Sequence, residues 1–245
     1  MEGVTIIDLS QPIYQGMPVY PGHVKTVMWT QPSHFDTYHW KKTGFSYEAR
    51  GLIMSDHGPT HVDAINHLTP RPGAKSIVDF PLEDFFTEGI CLDVSHVGSE
   101  FHIQRQHMEE ALEKHGLEIK RGDTVLLWTG HYDRNYGKDH GRELNYEWLY
   151  EYPGLDEPAM QWLVDCGIVN LGVDAPSIDN YKDTTYPAHS VCRDNDILNI
   201  ENLMNLDKVA GRRFIFCGLP LQIQGGTGSP IRAVALFIEA MGFKY

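Results

Sequence analysis

The fourteen residues from Ser55 to Leu68 read SDHGPTHVDAINHL, with three histidines and two aspartates around one Gly-Pro pair. His57, His61, Asp63 and His67 stand four, two and four residues apart. Gly58-Pro59 breaks any helix through the first of them, which predicts a loop or turn following a strand. Where the chain is extended, residues two apart face the same side, so His61 and Asp63 converge and the turn can swing His57 back to them. Two neutral imidazoles and a carboxylate suit Zn²⁺, and equally Mn²⁺ or Fe²⁺. Three protein ligands leave coordination positions open to water and substrate, which points to catalysis rather than bracing. The bland alternative is three unrelated histidines in a chain that has 13, but four donors within eleven positions favour the metal site.

Around this stretch, short apolar and β-branched runs read as strands: 5–9, 24–29, 90–94, 124–129, 168–173, 214–219 and 231–237, most of them expected to be buried on both faces. Between Gln104 and His115, Met108, Ala111 and Leu112 fall at helical spacing before Gly116, and a second helix is expected from Asp156 to Cys166, stopping at Gly167. The order of elements does not repeat as regular βαβ units. A single mixed α/β domain over 1–245 is expected. The stretch from Thr129 to Pro153, rich in Tyr, His, Asn, Asp and Gly, reads as an excursion that could cover or line a site.

Composition narrows the function classes. Hydrophobic residues make up 42% of the chain and charged residues 22%, as in folded globular proteins. The formal net charge of −13 opposes a phosphate backbone, and the only local basic concentrations, Lys41-Lys42 and Arg212-Arg213, read as solvated surface. Nucleic acid is therefore not an expected partner. No apolar run is long enough to span a bilayer, and the N-terminal residues lack a secretory pattern, so no membrane partner and a cytoplasmic location are expected. Cys91, Cys166, Cys192 and Cys217 are scattered without a CxxC pair and read as reduced thiols.

Four segments carry a family resemblance. HGPTHVDAINH (57–67) resembles the HxGTHxDxPxH motif of the metal-dependent cyclase family, which includes bacterial kynurenine formamidases and isatin hydrolases. IDLSQPIYQGMPVYPG resembles the family's N-terminal segment, PGLDEPAMQWLVDCGIVNLGVDAPSID its central helix and strand, and LPLQIQGGTGSPIRAVAL its C-terminal signature. Pro59 stands where the family usually has Gly, and Ile65 where it usually has Pro.

The resemblance implies a swivelling β/β/α fold, a mixed sheet with a few flanking helices, in a homo-oligomer, commonly a dimer or tetramer. It implies that His57, His61 and Asp63 bind the catalytic metal and that His67 is the general acid and base. His189 and Glu201 match positions that hold a second metal in two-metal relatives, and Gln224 falls where single-metal relatives supply a further ligand or substrate contact. Tyr20 and Tyr47 are candidate contacts for an aryl group, with ordinary packing as the competing reading. The implied activity is hydrolysis of a small aryl formamide or cyclic amide, as in conversion of N-formylkynurenine to kynurenine and formate in tryptophan catabolism, with one or two Zn or Mn ions.

Other classes remain in view. A cyclic imide or lactone hydrolase with a single ion would use the same triad, and a non-catalytic metal- or ligand-binding protein would not need His67. No GxSxG elbow supports a serine hydrolase, Cys192 near His189 leaves a cysteine nucleophile to be weighed, and the Gly225-Gly226-Thr227-Gly228 loop lacks the lysine of a P-loop and reads as a tight turn.

Overall fold

The computed structural model describes residues 3–41, 43–135 and 149–243. In chain order its elements are β1 (Val4–Asp8), β2 (Val27–Thr30), α1 (His34–Lys41), β3 (Arg50–Ile53), β4 (His61–Asp63), α2 (Ile65–Leu68), β5 (Phe86–Asp93), β6 (His102–Ile103), α3 (Arg105–His115), β7 (Thr124–Trp128), α4 (His131–Asn135), β8 (Gly154–Leu155), α5 (Glu157–Cys166), β9 (Asn170–Val173), α6 (Pro187–Asn195), β10 (Leu198–Glu201), β11 (Arg212–Cys217), β12 (Gly228–Pro230) and β13 (Val234–Ile238).

A nine-stranded sheet runs β1-β13-β11-β5-β7-β9-β10-β4-β12. Its centre, β5-β7-β9-β10, is parallel, and both flanks are antiparallel. Strands β12 and β13 lie towards opposite ends of this order yet are separated by only three residues, so the sheet curls to bring its ends together. Alternation along the central strands feeds two cores. Ile90, Leu92, Val125, Leu127, Leu171 and Val173 pack on one face with residues of α3, α5 and α6. Cys91, Leu126, Leu198, Ile200, Phe214 and Phe216 face the other way, where Val62 and Phe237 from the sheet's flanks join them inside the curl.

Both expected helices form. The Asp156 side chain caps α5 by accepting the Ala159 N–H at 2.8 Å, and α3 and α5 stop at Gly116 and Gly167, whose φ values of 61° and 84° suit glycine. Helix α6 escapes periodicity because its sequence, PAHSVCRDN, is largely polar, and only Ala188, Val191 and Cys192 are buried.

Two strand expectations need correction. The run at 24–29 is not a strand buried on both faces: β2 starts at Val27, pairs only with β3 away from the main sheet, and leaves Val27 and Trp29 exposed. Strand β1 is likewise largely open, because it forms the sheet's edge and pairs on one side only. Of the excursion at 129–153, residues 131–135 form α4, residues 136–148 lie outside the described residues, and no described part of it lines the cavity below. Among the described residues no helix is long and apolar enough to cross a membrane.

Candidate metal centre

Strand β4 organises the site. It is buried throughout, pairing with β10 on one side and β12 on the other. Val62 points into the apolar core, so period-two alternation turns His61 and Asp63 to the opposite face. Register then supplies two neighbours on that face: Glu201 lies opposite His61, and Asn199 opposite Asp63.

Two further histidines close on this strand from outside. His57, on the loop after β3, places Nδ1 2.6 Å from Asp63 Oδ1, while its Nε2 lies 2.8 Å from the Thr227 hydroxyl. Thr227 in turn donates to Asp56, and a Cβ at Gly228 would come within 2.8 Å of the His57 ring. The glycine-rich loop is thus a tight turn against which His57 is braced. From the far side, α6 brings His189, whose Nδ1 is held by Asp179, a carboxylate that also accepts the Ala188 N–H. This leaves His189 Nε2 facing Glu201 Oε1 at 3.3 Å and Asp63 Oδ2 at 3.8 Å. His61 Nδ1 similarly donates to the Pro59 carbonyl, so its Nε2 faces Asp63 Oδ1 at 3.2 Å and Glu201 at 3.6 Å.

The result is two groups of donors that share one carboxylate. His57, His61 and Asp63 form the first and Asp63, His189 and Glu201 the second, with the donor atoms of each within 4.8 Å of one another. Two carboxylates are thereby buried side by side, and among the described residues their charged partners are imidazoles, with no lysine or arginine against them. Burial opposes a charged His61 ring, yet Asp63, as hydrogen-bond partner and as charge, and Glu201 raise it to about 9. Burial opposes a charged His189 too, yet Asp179, Asp63 and Glu201 raise it well above the usual range. Asp63 is held well below its usual value by its three histidines, despite its burial. Burial and the charge of Asp63 push Glu201 up. The site therefore calls for extra positive charge, and the buried Asn199 Oδ1 atom, without a partner among the described residues, is one more acceptor awaiting a cation or donor. Divalent ions fit this donor set.

These shifts set the pH response of metal-free protein. A group raised from 6.5 to about 9 on folding contributes stability that is complete below 6.5 and vanishes as pH rises through 9. For His61 the span corresponds to about 3 kcal/mol. Asp63 acts in the opposite sense, its contribution being lost only as pH falls below the ordinary carboxylate range. Chelated protein should therefore lose thermal stability between pH 6.5 and 9, as followed by calorimetry; a melting temperature that is flat or rises over that window would contradict this balance of charges.

His67 sits on the four-residue helix α2 with its ring centroid 4.0 Å from that of His57. Among the described residues its side chain makes no hydrogen bond. The residue is exposed on its outer side, yet partial burial of the ring, opposed by Asp63 and reinforced by the neighbouring His57, His189 and His61, lowers its pKa to about 4, so it is unprotonated near pH 7. A cavity of about 500 Å³ opens over the cluster. Tyr20 lines it, with burial and the nearby Tyr186 raising its hydroxyl pKa. His23, which pattern reading misses, lies between Tyr20 and His57 with ring centroids 5.7 and 5.5 Å away, and its buried Nδ1 has no partner among the described residues.

The structure thus brings His57, His61, Asp63, His67, His189, Glu201 and Tyr20 to one cavity. It does not bring Gln224 or Tyr47 there: both are exposed, on the turn before β12 and in the segment before β3, and neither lines the cavity. Cys192 packs into the core behind α6, where burial pushes its thiol up to about 12, which removes the cysteine-nucleophile reading. Asp179, Asn199 and Thr227, which orient the donors, are ordinary polar residues whose roles come from tertiary position alone.

Residues 7–180 match the family model described as "Putative cyclase". The kynurenine formamidase of Salinibacter ruber (strain DSM 13855 / M31) is 29% identical over 231 residues, covering 94% of this chain and 97% of that protein. The kynurenine formamidase of Bacillus anthracis is 28% identical over 228 residues, 93% of this chain and 95% of the relative. Among solved structures, isatin hydrolase A from Labrenzia aggregata, bound to benzyl benzoate, superposes with a TM-score of 0.80 at 22% identity, covering 96% of this chain and 94% of the other. That similarity supports the fold: a mixed, curled sheet with few helices.

Proposed function

The chain belongs to the putative cyclase family, and from that premise we propose that it is a metal-dependent hydrolase that cleaves the C–N bond of a small aryl formamide, in the manner of the kynurenine formamidases it is similar to. The observation that carries this reading is the pair of donor groups sharing Asp63, with His67, which belongs to neither group, stacked beside His57 in the lining of the same cavity. His57, His61 and Asp63 would hold one Zn or Mn ion, and Asp63, His189 and Glu201 a second. Such ions supply Lewis acidity, which lowers the pKa of water and polarises a carbonyl oxygen.

The chain's own groups do the rest. Asp179 fixes the His189 ring, and Thr227 and Gly228 fix His57, so the donors need little reorganisation. His67 Nδ1 or Nε2 accepts the proton of the attacking water as the new C–O bond forms, then returns it to the leaving nitrogen as the C–N bond breaks. Tyr20 offers an aromatic wall to the aryl group. The four cysteines are free, which supports a cytoplasmic setting. A homo-oligomer is supported by the β2–β3 arm, which exposes Val27, Trp29, Phe35, Phe45, Leu52 and Ile53; light scattering should return a multiple of the 27.8 kDa chain mass, and a monomer would remove that part.

The substrate branch is tested by offering metal-loaded protein N-formylkynurenine, isatin and an aryl lactone side by side. Turnover of the formamide above the others is expected. Preference for isatin would move the assignment to cyclic amides, and failure on all three by folded, metallated protein would favour a binding protein instead.

A further inference from the structure

Helix α6 carries more than His189 into the cavity. His189, Ser190 and Arg193 all line it, and so does Tyr186 just before the helix. His189 and Arg193, four residues apart, lie on one helical face, their Cα positions about 6 Å apart along the axis. That rise matches the span across a single aromatic ring. Among the described residues lining the cavity, Arg193 is the one with a permanent positive charge.

The way Arg193 is held leaves donors for a ligand. Its Nε and Nη2 donate to the two carboxylate oxygens of Asp194 at 2.9 and 2.8 Å, which fixes the guanidinium plane. Arginine has five N–H donors, so the edge that includes Nη1 keeps its own. No described residue accepts from that edge, and the side chain is 27% exposed, open to the cavity yet partly sheltered. Asp194 also receives Arg71 at 3.4 Å, so its charge is shared between two arginines. Tyr186, whose backbone takes the left-handed φ of 51° directly before Pro187, is set into the same wall, an unfavourable conformation of the sort that collects where a ligand is positioned.

We propose that Arg193 is a specificity-determining residue that reads an ionised carboxylate on the substrate's aryl ring, about one ring's width from the scissile amide. The inference rests on the hydrolase reading above and adds the substrate's charge to it. A planar two-oxygen anion matches the free edge of a guanidinium better than a neutral group does. Because the chain's net charge of −13 opposes an anion at long range, the selection is local and its effect falls on KM rather than on encounter.

The test compares meta-formamidobenzoate with its uncharged isostere, meta-formamidobenzamide, on metal-loaded protein. Wild type should favour the carboxylate in kcat/KM by about tenfold, the lower end for a charge-assisted hydrogen bond, with the difference in KM. Arg193→Gln should bring the ratio towards unity, Arg193→Lys should keep part of it, and Asp194→Asn, which removes the competing carboxylate, should enlarge it. An absent preference in wild type, or the same ratio in Arg193→Gln, overturns the assignment while leaving the hydrolase reading intact. If neither compound is hydrolysed, N-formylkynurenine turnover decides the hydrolase reading, and calorimetry with the uncleavable meta-acetylbenzoate and meta-acetylbenzamide decides the subsite separately. Tighter binding of the benzoate by wild type but not by Arg193→Gln supports it, and equal binding overturns it.

Discussion

Asp63→Asn should abolish metal binding at both donor groups and reduce turnover to that of chelated protein. Asp63 is the residue the two groups share. Its Oδ1 lies 2.6 Å from His57 and 3.2 Å from His61, and its Oδ2 accepts the Asn199 amide at 2.9 Å and faces His189 at 3.8 Å. An asparagine has the same shape but must turn an NH₂ either towards the histidines or towards the Asn199 amide donor, and it carries no charge for an ion. Loss of an outer partner alone costs about 10- to 100-fold in metal affinity, so loss of a shared ligand should exceed that. Metal content per chain, measured after desalting, together with N-formylkynurenine hydrolysis, checks this; a folded variant that retains two ions and wild-type turnover would refute the shared-ligand geometry.

His67→Ala should separate the two halves of the site. The ring touches His57 but offers no donor to either group, so metal content should stay at the wild-type level while turnover falls by about 10²- to 10⁴-fold, the usual worth of a positioned acid and base. The loss should fall on kcat, since the proton moves only in the transition state. Equal losses of metal and activity would instead make His67 a ligand or a structural support, and unchanged turnover would remove it from the mechanism.

What could be read from the sequence divides according to distance along the chain. His57, His61, Asp63 and His67 are legible because their convergence needs only an extended backbone and one turn, and β4 supplies both. His189 and Glu201 stand more than a hundred residues further on. Only the family resemblance singles them out, because their place beside β4 is decided by the register of β10 and by the docking of α6. Asp179, Asn199 and Arg193 are invisible to pattern reading, since a lone aspartate, asparagine or arginine carries no spacing signal of its own. Strand β2 misleads for the opposite reason: its apolar run fits a buried strand, yet it lies on an arm outside the main sheet. The resemblance also points to Gln224, which lies exposed outside the cavity.

Stepwise addition of Zn²⁺ or Mn²⁺ to chelated protein, with bound metal and N-formylkynurenine hydrolysis measured at each step, tests the central claim most directly. Hydrolysis should be absent without metal, rise with occupancy and level off at two ions per chain. Equal hydrolysis by chelated protein, or none at full occupancy, would contradict it.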